Sequence, residues 1–224
     1  MDLREFKIKT TRDTLGISAE TFPRIIAFID FANVNKWFER DEFAEDGTLL
    51  PADQRLSIDL QKLKYFLYIF AEDARFYYGT DNDNIRSGKF MGAARHIFGD
   101  KSVFTKPVQK IKHYLDDGDE KSMGAMRAIK KDSVGRYITI PKSNFDVEIT
   151  LDVIRLAERY DTLCLLSGDA DFAPLLRYVR NLGKKTILIK AGFIQDNLRR
   201  FSDIVVNAQD IKAQIAVKKQ KPGS

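Results

Sequence analysis

Short apolar runs and segments with helical spacing alternate along this chain. The run IIAFI at 25–29 is apolar at every position, which is typical of a strand buried on both faces of a sheet. The segment 58–70 instead repeats apolar residues every three or four positions, which predicts a helix. The apolar runs predict strands at 25–29, 74–79, 102–108, 162–166, 186–190 and 203–207, and the helical spacing predicts helices at 34–43, 58–70, 90–98, 147–160, 172–182 and 195–201.

This alternation predicts an α/β fold with a mostly parallel central sheet. Parallel neighbours need long crossover connections, which helices usually supply, so helices are expected on both faces of the sheet. We expect the domain to span 23–208. Residues 1–22 lack a strong period and are predicted to be an irregular leader, and the basic segment 209–224 is predicted to be a disordered tail.

The segment 110–144 departs from the alternation and is interpreted as a charged insertion. Its DDGDEKSMG stretch at 116–124 predicts a turn or flexible tip. The stretch 136–141 predicts one strand of a hairpin.

Composition narrows the class of protein. With 224 residues, 44% of them apolar, the chain is long enough for one substantial core. No run approaches the ~20 apolar residues of a membrane span, so we expect a cytoplasmic protein without a membrane partner. Cys164 is expected to be a buried thiol, and His96 and His113 to be ordinary histidines rather than metal ligands. The net charge of +5 permits a polyanionic partner without requiring one.

Four aspartates are placed where strands and helices meet. Asp30 directly follows the first strand, Asp169 and Asp171 come just after the strand at 162–166, and Asp146 opens the helix leading into that strand. Asp146 and Asp171, taken singly, are explained as well by helix capping. Asp30 ends an all-apolar strand and needs a compensating cation or strong donors. Functional crevices lie outside the carboxyl ends of parallel strands, so we expect the four carboxylates to converge.

Converging carboxylates are stable only when they are protonated, paired with basic side chains or bound to a cation. Oxygen-only ligands favour Mg²⁺ or Mn²⁺, which equip a site for phosphoryl chemistry. Ser167 and Gly168 precede a helix start that favours anions. Asn33, one helical turn beyond Asp30, supplies an amide that could position substrate or water.

Three sequence blocks resemble those of a known family in order and separation. They are IDFANVN at 29–35, SNFDVEITLDVIRLA at 143–157 and LLSGDADFAPLLRYVRNLGKKTILI at 165–189. The SGDxDF block with its downstream L-G-K element is the most specific of the three. Over roughly 24–207, the chain is similar to the NYN domain (LabA-like) family of the PIN-like nuclease superfamily.

The resemblance implies a three-layer α/β/α, Rossmann-like fold of PIN-like type and a metal-dependent ribonuclease site built of aspartates. Asp30, Asp146, Asp169 and Asp171 match the metal-binding set, with Mg²⁺ or Mn²⁺ as the cofactor, and Asn33 matches the polar companion of Asp30. Ser167 matches a hydroxyl that positions metal or phosphate. Asp152 also matches the second block, but it lies on a different side of its helix from Asp146, so its membership stays open.

The resemblance does not extend to the role of the insertion. Lys112, Arg136 and Lys142 are the candidates there for phosphate or substrate contacts, beside Tyr114 and Tyr137 as candidate stacking surfaces. The same segment is equally compatible with an arm that forms a homodimer.

The leading hypothesis is a Mg²⁺- or Mn²⁺-dependent endoribonuclease that acts on single-stranded or structured RNA. Metal-activated water would attack phosphorus, and the clustered aspartates would hold the metal. The alternative is a catalytically silent NYN-type module that binds RNA or regulates without turnover. A phosphatase with Asp30 as nucleophile is disfavoured, because Ala32 stands where a second aspartate would act as general acid.

Overall fold

The computed structural model describes residues 2–81, 83–115 and 129–221. The strands within them are β1 (Ile25–Asp30), β2 (Gln54–Ile58), β3 (Asp73–Thr80), β4 (Val103–Pro107), β5 (Gln109–Tyr114), β6 (Lys130–Lys131), β7 (Arg136–Lys142), β8 (Thr162–Leu166), β9 (Lys185–Lys190), β10 (Ile204–Asn207) and β11 (Ala216–Gln220). The helices are α1 (Leu3–Leu15), α2 (Phe31–Val34), α3 (Leu60–Leu67), α4 (Ile85–Phe98), α5 (Asp146–Arg155), α6 (Ala173–Asn181), α7 (Asp196–Arg200) and α8 (Lys212–Ile215). Every helix in this described part is too short or too polar to span a bilayer.

A six-stranded parallel sheet forms the centre of the protein, in the order β10-β9-β8-β1-β3-β4. All residues of β1 are buried, as its apolar sequence predicts. Helices α2, α3, α4 and α8 pack against one face of the sheet, and α5, α6 and α7 pack against the other. The predicted three-layer α/β/α architecture with a mostly parallel sheet is confirmed.

The chain reverses its winding direction between β1 and β8. From β1 it proceeds outward to β3 and β4, then crosses back to β8 and continues through β9 and β10. Ile29 pairs with Leu166, so the parallel strands β1 and β8 end at the same edge of the sheet. In doubly wound sheets such a switch point opens a crevice at the carboxyl ends of the strands.

The predicted central elements are present with shifted ends. The six predicted strands correspond to β1, β3, β4, β8, β9 and β10. Helix α6 carries Pro174 in its first turn and ends before Gly183, whose φ of 75° is the left-handed conformation that glycine adopts after helices. Local sequence signals therefore predict these elements correctly, apart from their exact ends.

The helix predicted over 34–43 is wrong. α2 ends at Val34, and the following backbone bonds join residues three apart, with Lys36 N donating to Asn33 O at 3.1 Å. Asn33 and Asn35 favour such a turn because their side-chain amides compete for nearby hydrogen-bonding groups. Trp37 Nε1, for example, donates to Asn33 Oδ1 at 3.2 Å. The turn keeps Asn33, Asn35 and Lys36 beside the end of β1.

The N-terminal segment is helical where its sequence predicts an irregular leader. α1 spans 13 residues, Arg12 donates to the carbonyl of Phe70 at 3.4 Å, and Ile17 just after the helix is fully buried. The sequence of α1 has only a weak apolar stripe. Its helical structure is therefore supported by docking on the rest of the protein, which a local pattern does not reveal.

The predicted disordered tail is also wrong for residues 209–221. β11 pairs antiparallel with β2, from Ala216 opposite Ile58 to Gln220 opposite Gln54. Ile211, Ile215 and Ala216 are buried in the core. The apolar residues and the strand partner, which lies far back in the sequence, order this segment although its last residues are basic.

Strands β5, β6 and β7 form a separate three-stranded antiparallel sheet, here called the arm, in the order β5-β7-β6. The hairpin strand predicted at 136–141 is present as β7. The turn predicted at 116–124 lies outside the described residues. The charged insertion is thus an independent β-structure attached beside β4.

Candidate metal and nucleic-acid site

A cavity opens where β1 and β8 end. Its volume is about 520 Å³, and its lining includes all four aspartates predicted to converge, Asp30, Asp146, Asp169 and Asp171. Asn33 also lines this cavity. The switch point between the two strands brings these side chains together from separate parts of the chain.

Three of the four aspartates form a compact group. Asp146, Asp169 and Asp171 each offer a carboxylate oxygen, and these oxygens lie within 4.8 Å of one another. Opposite ligands of Mg²⁺ stand about 4 Å apart, since each bond is roughly 2.1 Å long. The three oxygens are therefore close to the spacing that ligands of one ion need, and their chemistry suits a hard divalent cation.

Asp30 lies deeper than this group and is held by neighbouring donors. It is 8% exposed, and the Ser167 hydroxyl donates to its Oδ2 at 2.9 Å. Burial raises the pKa of Asp30 to about 6, and the negative charges of Asp146 and Asp169 act in the same direction. Hydrogen bonds from Ser167 and from the backbone of Asn33 oppose that rise without cancelling it.

The loop that carries Asp169 is tied to the end of β1. Gly168 N donates to Asn33 Oδ1 at 3.0 Å, and Asp169 N donates to Ser167 Oγ at 3.2 Å. Ser167 is fully buried and gives its one proton to Asp30. Asn33 and Ser167 therefore orient the loop and Asp30, and Ser167 does not face the cavity as a phosphate contact would.

Helix capping does not explain Asp146 or Asp171. At the start of α5, Asp146 N donates to Asn144 Oδ1 at 2.9 Å, so Asn144 supplies the side-chain acceptor there. At the short 3₁₀ turn 170–172, Asp171 N donates to Asp169 Oδ1 at 3.1 Å, so Asp169 is the capping residue. The carboxylates of Asp146 and Asp171 are thereby left for the cavity.

Asp146 has charged neighbours of both signs, and their net effect together with burial is a raised pKa. Burial raises its pKa, and the negative charges of Asp169 and Asp171 add to the effect. The hydrogen bond with Asn144 and the nearby Lys106 ammonium act in the opposite direction. Lys106 is itself held 2.7 Å from Glu148 and 4.7 Å from the ring centre of Phe145. A bound cation would relieve the repulsion among the three carboxylates.

Asp152, left open by the sequence, lies away from the carboxylate group. Its Oδ2 accepts a hydrogen bond from the Tyr77 hydroxyl at 2.7 Å, and Arg75 approaches it at 3.4 Å. Both partners are on β3. Asp152 therefore holds α5 against the sheet.

The three basic residues predicted to contact substrate have different surroundings. Lys112 forms an ion pair with Asp132 at 2.5 Å and lies 4.5 Å from the ring centre of Tyr137. Strand alternation places Lys112 on the face of the arm opposite to Ile140, which lines the cavity, and places Arg136 on the same face as Ile140. The side chain of Lys142 lies outside the described part of the chain.

The sequence reasoning missed several residues that line the cavity. Asn35 and Lys36 lie in the turn after Asn33, within and just after the first sequence block, and this proximity was an available signal. Ser143 and Asn144 open the second sequence block, and this was also an available signal. Tyr78, Val108 and Ile140 had no sequence signal, because only the meeting of the arm with β3 brings them together here.

Comparisons with known proteins bear on the family and the fold of this chain. The sequence pattern of the NYN domain matches residues 50–209. The low amplitude and bright protein LabA of Synechococcus elongatus is 32% identical over 75 residues, which cover 33% of this chain and 40% of that protein. The chain thus aligns with less than half of that relative's length. A crystal structure of a protein of unknown function from Vibrio parahaemolyticus shares the fold, with a TM-score of 0.56 at 19% identity over 89% of this chain and 99% of the other.

Proposed function

The chain belongs to the NYN domain family, a family of PIN-like nucleases, and from this premise we propose that it is a metal-dependent ribonuclease that cuts RNA internally. The observation that carries the proposal is the group of Asp146, Asp169 and Asp171 at the carboxyl ends of β1 and β8. Metal-dependent cleavage of a phosphodiester needs a cation site beside room for the strand, and the carboxylate group and the cavity around it support both.

Asp146, Asp169 and Asp171 would hold Mg²⁺ or Mn²⁺, with Asp30 as the fourth, deeper carboxylate. When bound, the cation supplies Lewis acidity that lowers the pKa of water and neutralises phosphate charge. The protein's own residues keep the carboxylates in position around the cation site. Ser167 holds Asp30, and Asn33 holds the backbone of Gly168. Such outer contacts keep ligands oriented for the ion.

Lys36 is the candidate for binding the RNA backbone. Among the described residues that line the cavity, it is the one with a cationic side chain, and it is exposed. An ammonium at this rim would attract a phosphate toward the carboxylate group and its cation. Arg136, on the cavity-facing side of the arm, would extend the basic path outward.

The test uses the purified full chain and a circular RNA, which only an internal cut can open. Product is expected with Mn²⁺ or Mg²⁺ and none with EDTA. Asp146→Asn and Asp169→Asn are each expected to slow cleavage by about 100-fold or more, because loss of a ligand exceeds the loss of an outer contact. Asp13→Asn, on exposed α1, is the matched control and should cleave like the parent.

The outcomes separate the two hypotheses. RNA binding that persists in EDTA, with no product under any metal, would support the silent RNA-binding module instead. Equal cleavage by the parent and both site variants would refute the proposed metal site. The same circle made of single-stranded DNA shows whether the protein requires RNA.

A further inference from the structure

The cavity is lined by groups of unlike chemistry. Besides the carboxylate group, its lining includes the apolar and aromatic residues Tyr78, Val108, Ile140 and Phe145, here called the apolar wall. The carboxylates explain how a cation would be held, and the cation in turn would attract a phosphate. They do not explain why the lining of a charged site also contains an apolar wall.

The arm contributes Ile140 to this apolar wall, and Val108 at the base of the arm is seated closely on β3. Val108 N donates to Thr80 O at 2.9 Å, which joins the base of the arm to the end of β3. At Gly79 a methyl group would lie 2.8 Å from Val108 Cγ1 and closer still to Ser143 Oγ, so glycine is needed for this approach. The wall is therefore a built part of the fold rather than a loop resting over the site.

The ring of Tyr78 is held in place from behind. It packs edge-on against Phe31 with the ring centres 5.2 Å apart and against Phe90 at 5.4 Å. Such edge-to-face contacts fix the orientation of an aromatic ring. A ring fixed in this way is preorganised as part of a binding wall.

We propose that this apolar wall is a subsite for one unpaired nucleobase of an RNA strand, adjacent to the phosphate that is cut. The inference rests on the proposed ribonuclease function and adds the form of substrate that it takes. A base splayed out of a single strand would pack against Tyr78, Val108 and Ile140. Its phosphate would lie between Lys36 and the carboxylate group.

The chemistry and size of the cavity favour this occupant. A volume of about 520 Å³ lies within the range of pockets that hold small molecules, and one nucleotide is of that size. Single-stranded RNA is recognised by unstacked bases that pack on aromatic and apolar side chains. Asn35, Asn144 and Ser143 at the rim carry the amide and hydroxyl groups that could contact the base edges. A base paired within a duplex has neither its face nor its edge free to enter.

The test compares two valines, Val108 at the base of the arm and Val134 at one of its turns. Val108→Asn makes the wall polar, whereas Val134→Asn makes the same change at a turn of the arm where the side chain is 75% exposed. Ile140→Asn is the second wall variant. Binding of a fluorescent oligouridylate is measured in EDTA, and cleavage of the same strand, single or in a duplex, is measured in Mn²⁺. Unchanged thermal unfolding of each variant confirms that it is folded.

Both wall variants are expected to bind and cleave the single strand about 5- to 10-fold less well, which is the lower end of a base-stacking contribution. Val134→Asn should match the parent, and the duplex should be cut far more slowly than the single strand. Folded wall variants that bind and cut like the parent would overturn the subsite, as would equal cleavage of duplex and single strand.

Two further outcomes keep the subsite and the nuclease separate. If the parent binds the oligouridylate and the wall variants bind it less, but nothing is cut, the subsite stands and the ribonuclease proposal fails. If uridine monophosphate competes as strongly as the oligouridylate, the occupant is a free nucleotide and the RNA-strand assignment is overturned.

Discussion

Asp30 combines a buried position with a charge that the proposed function uses. It ends a strand whose residues are all buried, and it keeps one hydroxyl donor, Ser167, at its Oδ2. Burial and neighbouring carboxylates raise its pKa to about 6. The free protein therefore stores an unfavourable interaction here, which a bound cation would convert into a favourable one.

The unfavourable burial of ionised Asp30 predicts a pH-dependent gain in stability for Asp30→Asn. An acid whose pKa is raised by folding stabilises the native state fully below its unfolded pKa of about 4, and that contribution is lost as pH rises through about 6. The ionised form then costs roughly 3 kcal/mol, at about 1.4 kcal/mol per pKa unit. In EDTA, urea unfolding should show the variant more stable than the parent at pH 8 and nearly equal at pH 4. A difference that is the same at both pH values would contradict this.

The neighbours of Asp146 and Asp171 decide what these aspartates can do. Asn144 and Asp169 accept the backbone hydrogen bonds at the two helical starts. Either aspartate could have served as a cap on sequence grounds alone, and capping would have turned its carboxylate toward the backbone. Because Asn144 and Asp169 accept these backbone hydrogen bonds, the carboxylates of Asp146 and Asp171 remain available to the cavity.

At the scale of elements, α5 is the helix whose placement matters most for the site. It begins with Asp146 and carries Asp152 further along, where Tyr77 and Arg75 of β3 bind the carboxylate. The Arg75 guanidinium also lies 4.5 Å from the ring centre of Phe104 on β4. One helix is thus fixed by one aspartate and presents another to the cavity.

We predict that Asp152→Ala lowers the free energy of unfolding by about 2 kcal/mol, because a buried tyrosine hydroxyl and an arginine lose their charged partner. Urea denaturation measures the change. Asp161→Ala, which removes the partner of Arg24 in an exposed ion pair, is the comparison and should cost much less. Equal losses would show that Asp152 is not an anchoring residue.

In the arm, the register of the strands separates two basic residues that look alike in the sequence. Lys112 and Arg136 are both basic residues of one insertion, yet pairing of β5 with β7 puts them on opposite faces of a sheet. Lys112 is engaged by Asp132, whereas Arg136 shares the face of Ile140. A count of basic residues in the insertion treats these positions as equivalent, and the structure does not.

At the scale of the whole molecule, the two chain ends complete the side of the core away from α5. Ile17 follows α1, and Ile211 and Ile215 belong to the C-terminal segment, and all three are buried in the same core. β11 adds backbone pairing to β2 and extends beyond residue 209, where the family match ends. The C-terminal segment is therefore part of the folded unit.

Deletion of residues 209–224 should destabilise the protein by about 3–6 kcal/mol, from the loss of two buried isoleucines at roughly 1.5–3 kcal/mol each. That is a large share of the ~5–15 kcal/mol that stabilises a typical domain. Urea midpoints of the deletion and of a control lacking only 222–224 measure it. A deletion as stable as the control would mean that the segment is dispensable.

The amino-acid sequence determined the central strands, the parallel α/β class and the aspartates that line the cavity. These features depend on short-range signals, namely apolar runs, helical spacing and acids just beyond strand ends. Such signals can be read locally because the backbone geometry of a strand or a helix fixes which residues share its buried face. Tertiary structure alone decided the order of both chain ends and the faces of the arm. In each of these cases the stabilising partner is distant in sequence, so no local pattern carries the information. The apolar wall of the cavity belongs to this second group, since it forms only where the arm meets β3.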